Sequence, residues 1–226
     1  MIVMMNSWPA LILIFPLLAP TSDYEKVKKS IAQRQNEFKI SFDTAGTQEK
    51  DSLIKLARKY ILRSIAKEII PSWYGTPWDF NGCTETPKEG KIACGYFVMT
   101  VLRDAGFKIP RIKWSQSASE PIIKILCPKL KRFHNAEMKK VEAFLKESGE
   151  GLYIVGLDCH VGFILRTGNK NQFIHSSYYH AETGVMSEKL DSDNPLKDSK
   201  YRVIGKLLSN EMVLKWISSE TYNATP

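Results

Sequence analysis

The hydrophobic pattern of this chain changes period once, close to Gly149. Before that point apolar residues recur at three- and four-residue intervals, the spacing of one helical face. After it they crowd into short runs rich in aromatic and β-branched residues, as strands require. Helices gathered in one part and strands in the next predict an α+β fold with an antiparallel meander. The clearest helix covers 47–70, with Leu53, Ala57, Tyr60, Ile61, Ile65 and Ile69 on one face and Lys and Arg opposite. Pro71 is expected to end it. A charged helix is expected over 23–38, a break over 39–46, and further helices over 122–126, 135–148 and 211–218. Strands are expected over 152–157, 160–166, 172–176 and 203–207, with a hairpin connection at 167–171. No internal repeat or low-complexity tract interrupts the pattern.

A second helix pattern carries chemistry. Cys94, Phe97, Val98, Val101, Leu102 and Ala105 share one face, and Gly106 stands where a left-handed C-terminal residue is wanted. Cys94 therefore opens a helix, behind a loop rich in Gly, Pro, Asn and Thr. Unpaired N–H groups and the macrodipole make that position locally positive. A thiolate is favoured there, so the thiol pKa is expected to fall, and the same N–H groups suit a developing oxyanion. A lone Cys is more commonly a small buried hydrophobe, so the helix by itself does not decide the matter. His160 and His175 add weight. If Asn169 lies near the hairpin tip, both imidazoles sit at the strand ends away from it, where adjacent strands make them neighbours. A thiol facing such an imidazole is a nucleophile and its base, with the second imidazole orienting the first. A metal site on the same residues lacks further ligands at suitable spacing. His134 and His180 have no such context.

Composition bounds the rest. The chain has 226 residues, 43% of them hydrophobic, which suits one domain with an appendage. A net charge of +8 favours an anionic partner such as a cell-wall polymer. The Lys and Arg clusters at 28–29, 129–132 and 139–140 are short and accompany no nucleic-acid motif, so no nucleic acid is expected. Four cysteines at 83, 94, 127 and 159 form no CxxC and fit neither zinc nor a dense disulfide framework. With Cys94 free, Cys83, Cys127 and Cys159 allow at most one bridge. Residues 1–22 carry no charge, and 8–19 are nearly all apolar. That run is too short for a membrane span, which takes roughly 20 residues. It matches the apolar part of an export signal, although the basic start is missing and the cleavage pattern is weak. An exported protein, periplasmic or secreted, with no stable membrane span is expected.

Four motifs occur in a telling order: GTPWDFNG at 75–82, ACGYF at 93–97, HVGFIL at 160–165 and FIHSS at 173–177. Together they resemble the bacterial NlpC-like cysteine peptidases of the papain-like group, over roughly 71–190. The resemblance implies a papain-like core in which the nucleophile's helix packs on an antiparallel sheet. It implies Cys94 as nucleophile, His160 as general base and His175 as the residue that orients it, with no cofactor and no metal. Trp78, Tyr74, Asn81 and Gly95 would form the substrate and oxyanion side. On this basis 1–22 is an export signal, 23–70 a helical segment and 71–226 the catalytic domain. Three positions depart from the family pattern: Ala93 stands for Asp, Gly95 for Ser, and Trp78 for a loop Tyr. The departures keep the triad and put the substrate in doubt. The family mostly cuts peptidoglycan stem peptides, so a peptide or peptidoglycan-like substrate is expected. An effector-type amidase, deamidase or transacylase on the same scaffold is the alternative, and a non-catalytic cell-wall or partner-binding module is another.

Overall fold

The computed structural model describes residues 23–223 and residue 226. The stretch expected as an export signal, 1–22, lies outside them. Helix α1 spans Asp23–Thr44 and α2 spans Thr47–Ser64. The expected break over 39–46 is confined to Ala45 and Gly46. Nothing in KISFD stops a helix, and Lys39 reaches Asp43 at 2.8 Å across one turn. Gly46 then starts α2, its N–H held at 2.9 Å by the Glu49 carboxylate.

Pro71 does not end the second helix. The chain widens into a single π-turn over Ile65–Ile69 and re-forms as α3, Ile70–Trp73. A helical proline removes one N–H and crowds the carbonyl four residues back. The π-turn absorbs that conflict: the Ile70 N–H bonds the Ile65 carbonyl, five residues away. Ser72 Oγ donates to the Glu68 carbonyl at 2.8 Å. The helix stops only at Tyr74, whose ψ of 131° leaves the helical region.

Helix α4, Cys94–Asp104, forms as its apolar stripe predicts, and Gly106 behind it has φ of +96°. Then follow α5 (Arg111–Ser115), α6 (Ser119–Leu126), β1 (Leu130–His134) and α7 (Met138–Ser148). Strands β2 (Gly151–Leu157), β3 (Val161–Thr167), β4 (Lys170–Ser176) and β5 (Val185–Lys189) make the meander. The short α8 (Pro195–Asp198), β6 (Tyr201–Lys206) and α9 (Asn210–Ile217) complete the described chain. The fold is α+β, built on one six-stranded antiparallel sheet in the order β1-β6-β2-β3-β4-β5.

Both faces of the sheet are covered, which explains why β2 reads as a nearly continuous apolar run. Alternate residues point to different cores. Leu152, Ile154, Val161, Phe163 and Val203 join the core shared with α4, whose Phe97 ring stands 6.1 Å from Phe163. Tyr153, Val155, Ile164, Phe173 and Ile204 face Val141 and Leu145 of α7 on the other side. The helices of 23–70 pack on the first of these cores. Phe38 meets the Trp216 ring of α9 at 5.9 Å, and Gln35 Nε2 donates to the Trp216 carbonyl at 2.6 Å. The Tyr24 hydroxyl donates to Asp104 at 2.7 Å and accepts from Trp73 Nε1 at 2.8 Å, tying α1 to α3 and α4. No helix among the described residues is long and apolar enough to cross a membrane.

Candidate active site

The β3–β4 connection is a two-residue turn, because Thr167 pairs with Lys170 and leaves Gly168 and Asn169 at the tip. That register sets Phe163 opposite Ile174 and brings the far ends of the two strands together. His160, just before β3, and His175, near the end of β4, meet there. Their Nε2 and Nδ1 atoms lie 2.8 Å apart, with the rings perpendicular at 88°. Both are buried, His175 completely. His175 stacks on Phe173 at 4.1 Å, so its ring plane is fixed by packing. Its other nitrogen, Nε2, lies 2.6 Å from Oε2 of Glu188 on β5, which pairs with β4 opposite Phe173.

The protons on this chain follow from chemistry. A carboxylate only accepts, so His175 Nε2 donates to Glu188. Burial lowers the pKa of His175, against the raising effect of Glu188, and lowers that of His160 well below 6.5, with the neighbouring His175 charge adding to the effect. With both rings neutral, His175 Nδ1 accepts and His160 Nε2 donates to it. His160 Nδ1 is left with a lone pair. That atom is buried and has no hydrogen-bond partner.

Cys94 opens α4 behind Ala93, which is extended and offers no side-chain cap to the first turn. The backbone N–H groups of Val161, the residue after His160, of Gly95 and of Cys94 itself lie on the sulfur's side of the site. Those donors favour the thiolate, as expected for a helix N-terminus. Burial outweighs them, and the thiol pKa is raised above its ordinary value, with Cys159 adding to the rise. The expected fall in the thiol pKa is therefore corrected: the positive end of α4 is present, but the sulfur is too desolvated to profit from it. Among the described residues no hydrogen bond joins the thiol to His160.

An aromatic wall completes the cluster. The Tyr178 ring stands 5.3 Å from His160 and 5.9 Å from Trp78. Trp78 is held by its backbone N–H on the Ala181 carbonyl at 2.7 Å. Gly184 makes this close approach of the two segments possible. Its φ is +59°, and a Cβ there would lie 1.9 Å from the Thr76 carbonyl oxygen. Trp78 Nε1 is buried and, like His160 Nδ1, has no partner.

The remaining expected residues take other places. Gly95 lies under α5, where a Cβ would come within 2.4 Å of the Ser115 carbonyl oxygen. A Ser at this position collides with α5, so the glycine answers to packing. Tyr74 is half-buried beside Ser187 of β5, its hydroxyl pKa raised by burial. Asn81 is exposed in the 79–82 turn, its N–H donating to Asp79 Oδ1 at 2.9 Å. No hydrogen bond among the described residues links either side chain to the two histidines. Cys83, Cys127 and Cys159 are all free thiols, Cys83 and Cys159 exposed and Cys127 buried. Among the described residues, no group of three or more His, Cys, Asp and Glu side chains is placed to hold a metal ion.

Glu188 and Tyr178 escaped the sequence reading. Glu188 sits in VMSEK, a strand whose alternation is too weak to announce itself. Tyr178 lies in the turn after β4, where nothing in the local pattern marks it. No family model, no curated protein and no solved structure matches this chain.

Proposed function

We propose that the protein is a thiol-dependent amidohydrolase or endopeptidase with an NlpC-like, papain-like core, acting on peptide amides of the peptidoglycan type. The observation that carries the reading is two unsatisfied buried atoms on residues that flank the Tyr178 ring: an acceptor, His160 Nδ1, and a donor, Trp78 Nε1. Buried polar atoms without partners are rare; a bound amide carbonyl supplies what Trp78 Nε1 lacks, and the thiol proton is what His160 Nδ1 lacks. The four motifs in their order support the family likeness, and the effect of the Val161 N–H on the Cys94 thiol supports the nearness of Cys94 to the start of β3.

In this reading substrate enters over Trp78 and Tyr178. The Cys94 thiol passes its proton to His160 Nδ1 as the sulfur attacks the amide carbonyl. The Cys94 backbone N–H and Trp78 Nε1–H hold the oxyanion. His160 then returns the proton to the leaving nitrogen, and the C–N bond breaks to leave a thioester on Cys94. Water, giving its proton to His160, hydrolyses the thioester, and the thiol is restored. No cofactor enters these steps. The neutral resting pair makes His160 a true general base, in place of one half of a preformed ion pair. The positive net charge and the apolar start at 8–19 support export towards an anionic wall.

The test is digestion of purified cell wall by the protein and by Cys94→Ala. New amino termini released by the first and not by the second, with unchanged thermal unfolding, are the expected result. Retained hydrolysis by Cys94→Ala overturns the chemistry, and ammonia in place of a new amine identifies a deamidase. A non-catalytic peptide-binding module is the second reading. The raised thiol pKa and the absence of a hydrogen bond from the thiol to His160, among the described residues, favour it. Binding of wall peptides without any product selects it.

A further inference from the structure

We infer that Glu188 is the positioning residue that decides which nitrogen of His160 is the base, an inference that rests on the general-base role given to His160 above. His160, His175 and Glu188 form an unbroken hydrogen-bonded line of 2.8 Å and 2.6 Å. The Glu188 side chain is 8% exposed and His175 is fully buried, so water does not replace either partner. The direction of the line is set at its Glu188 end. Neutral imidazole carries one N–H and one lone pair, and the choice at one ring dictates the choice at the next. With an acceptor at Glu188, the His175 proton sits on Nε2, the His160 proton sits on Nε2, and His160 Nδ1 is free to take a proton. Without that acceptor, His175 can carry its proton on Nδ1 and donate to His160 Nε2. His160 must then carry its own proton on Nδ1, where a base needs a lone pair. The same line steadies the positive charge that His160 gains once it takes the thiol proton, because Glu188 bears the opposite charge two links away.

Three strands share the work. His160 precedes β3, His175 lies on β4 and Glu188 on β5, so the sheet's own hydrogen bonds hold the line in register. The other titratable group acting on His175 is His180, whose charge opposes protonation of His175. Neither a core-packing role nor a surface role for Glu188 accounts for a carboxylate aimed at a fully buried imidazole. In a Ser-His-Asp triad, holding the base in the wrong tautomer costs on the order of 10⁴ in kcat.

The experiment reads the tautomer directly. Histidine ring nitrogens are observed by ¹⁵N NMR in the otherwise unaltered chain, in Cys94→Ala, and in Glu188→Ala and Glu188→Gln. Cell-wall hydrolysis is measured for each except Cys94→Ala. With Glu188 present, His160 should show a protonated Nε2 and a bare Nδ1. Glu188→Ala should move the His160 proton partly or wholly to Nδ1 and lower kcat by roughly ten-fold or more, with KM little changed. Glu188→Gln can turn either its oxygen or its amide to His175. Its rate should follow whichever His160 tautomer the spectrum shows. A proton on His160 Nδ1 in the unaltered chain overturns the inference without any variant. So does a Glu188→Ala protein with the tautomer moved and kcat unchanged, or with kcat lost and the tautomer unmoved. The nitrogen spectrum of Cys94→Ala stands whether or not Cys94 proves to be the nucleophile, so failure of the functional reading and failure of this one are told apart.

Discussion

Two opposing fields meet at the Cys94 sulfur. The backbone N–H groups of Val161, Gly95 and Cys94 favour the anion, while burial and the nearby Cys159 oppose it more strongly. Desolvation of a charge is the larger effect in a low-dielectric site, so the thiol rests protonated. The consequence is measurable. Alkylation by iodoacetamide, followed at Cys94 in a Cys83→Ser/Cys159→Ser background to silence the two exposed thiols, should rise with pH through a midpoint above the free-cysteine value of about 8.5. A midpoint well below that value would show a preformed thiolate and overturn the general-base mechanism in favour of an ion pair. The position of Cys94 at a helix start was legible from its stripe. The direction of its thiol shift was not, because the side chain is half-buried by contacts that the stripe does not record, and Cys159, which opposes the anion, comes from the turn before His160, far along the chain.

At the scale of elements, the contacts that decide the arrangement are few and polar. Tyr24 is one: its single hydroxyl serves Asp104 of α4 and Trp73 of α3 together. Tyr24→Phe removes it without changing the ring, leaving the buried Trp73 N–H with no acceptor and Asp104 short of a donor. Losing one partner of a buried polar group costs about 1–3 kcal/mol, which a urea unfolding midpoint should register. An unchanged midpoint would mean that water reaches the pair and that α1 is held by its apolar face alone. Elements with a strong local rule could be read in advance. The two-residue turn at Gly168 and Asn169 fixes the β3–β4 register, so the meeting of His160 and His175 follows from spacing. Glu188 follows from no such rule, since the 177–184 connection is long enough to allow several registers for β5. Strand β1 was hidden for another reason: LKRFH buries only Phe133 well, and its Lys and Arg serve a sheet edge exposed to water. The π-turn was hidden because Pro71 signals a stop, and only the packing of Ile65, Ile69, Ile70 and Trp73 repays carrying the helix past it.

For the molecule as a whole, the relay links the chemistry to acid stability. His160 and His175 are neutral and buried in the folded state, with pKa values lowered by burial. In the unfolded chain a histidine titrates near 6.5. As pH falls below that value the unfolded state binds protons that the folded state refuses, so the balance moves towards unfolding. The stability contributed by the neutral pair is therefore present above about pH 6.5 and lost progressively below it, towards the lowered folded values. Glu188 moderates the loss at His175, because its charge favours the protonated ring. Glu120 acts lower on the scale: hydrogen bonds from Tyr201 and Arg132 hold its pKa at about 2, so its contribution fades from about pH 4.3, where an unfolded Glu titrates, down to about 2. The window between about pH 6.5 and about pH 5 thus belongs to the histidines. Urea midpoints measured at about pH 7.5 and about pH 5 should fall for the unaltered chain, and should fall less for a His160→Gln/His175→Gln chain, which cannot titrate there. Charge repulsion from the surplus of Lys and Arg grows in acid for both proteins and cancels in the comparison. Equal falls in the two would place the acid sensitivity outside the relay and show that the two rings accept protons without leaving the fold.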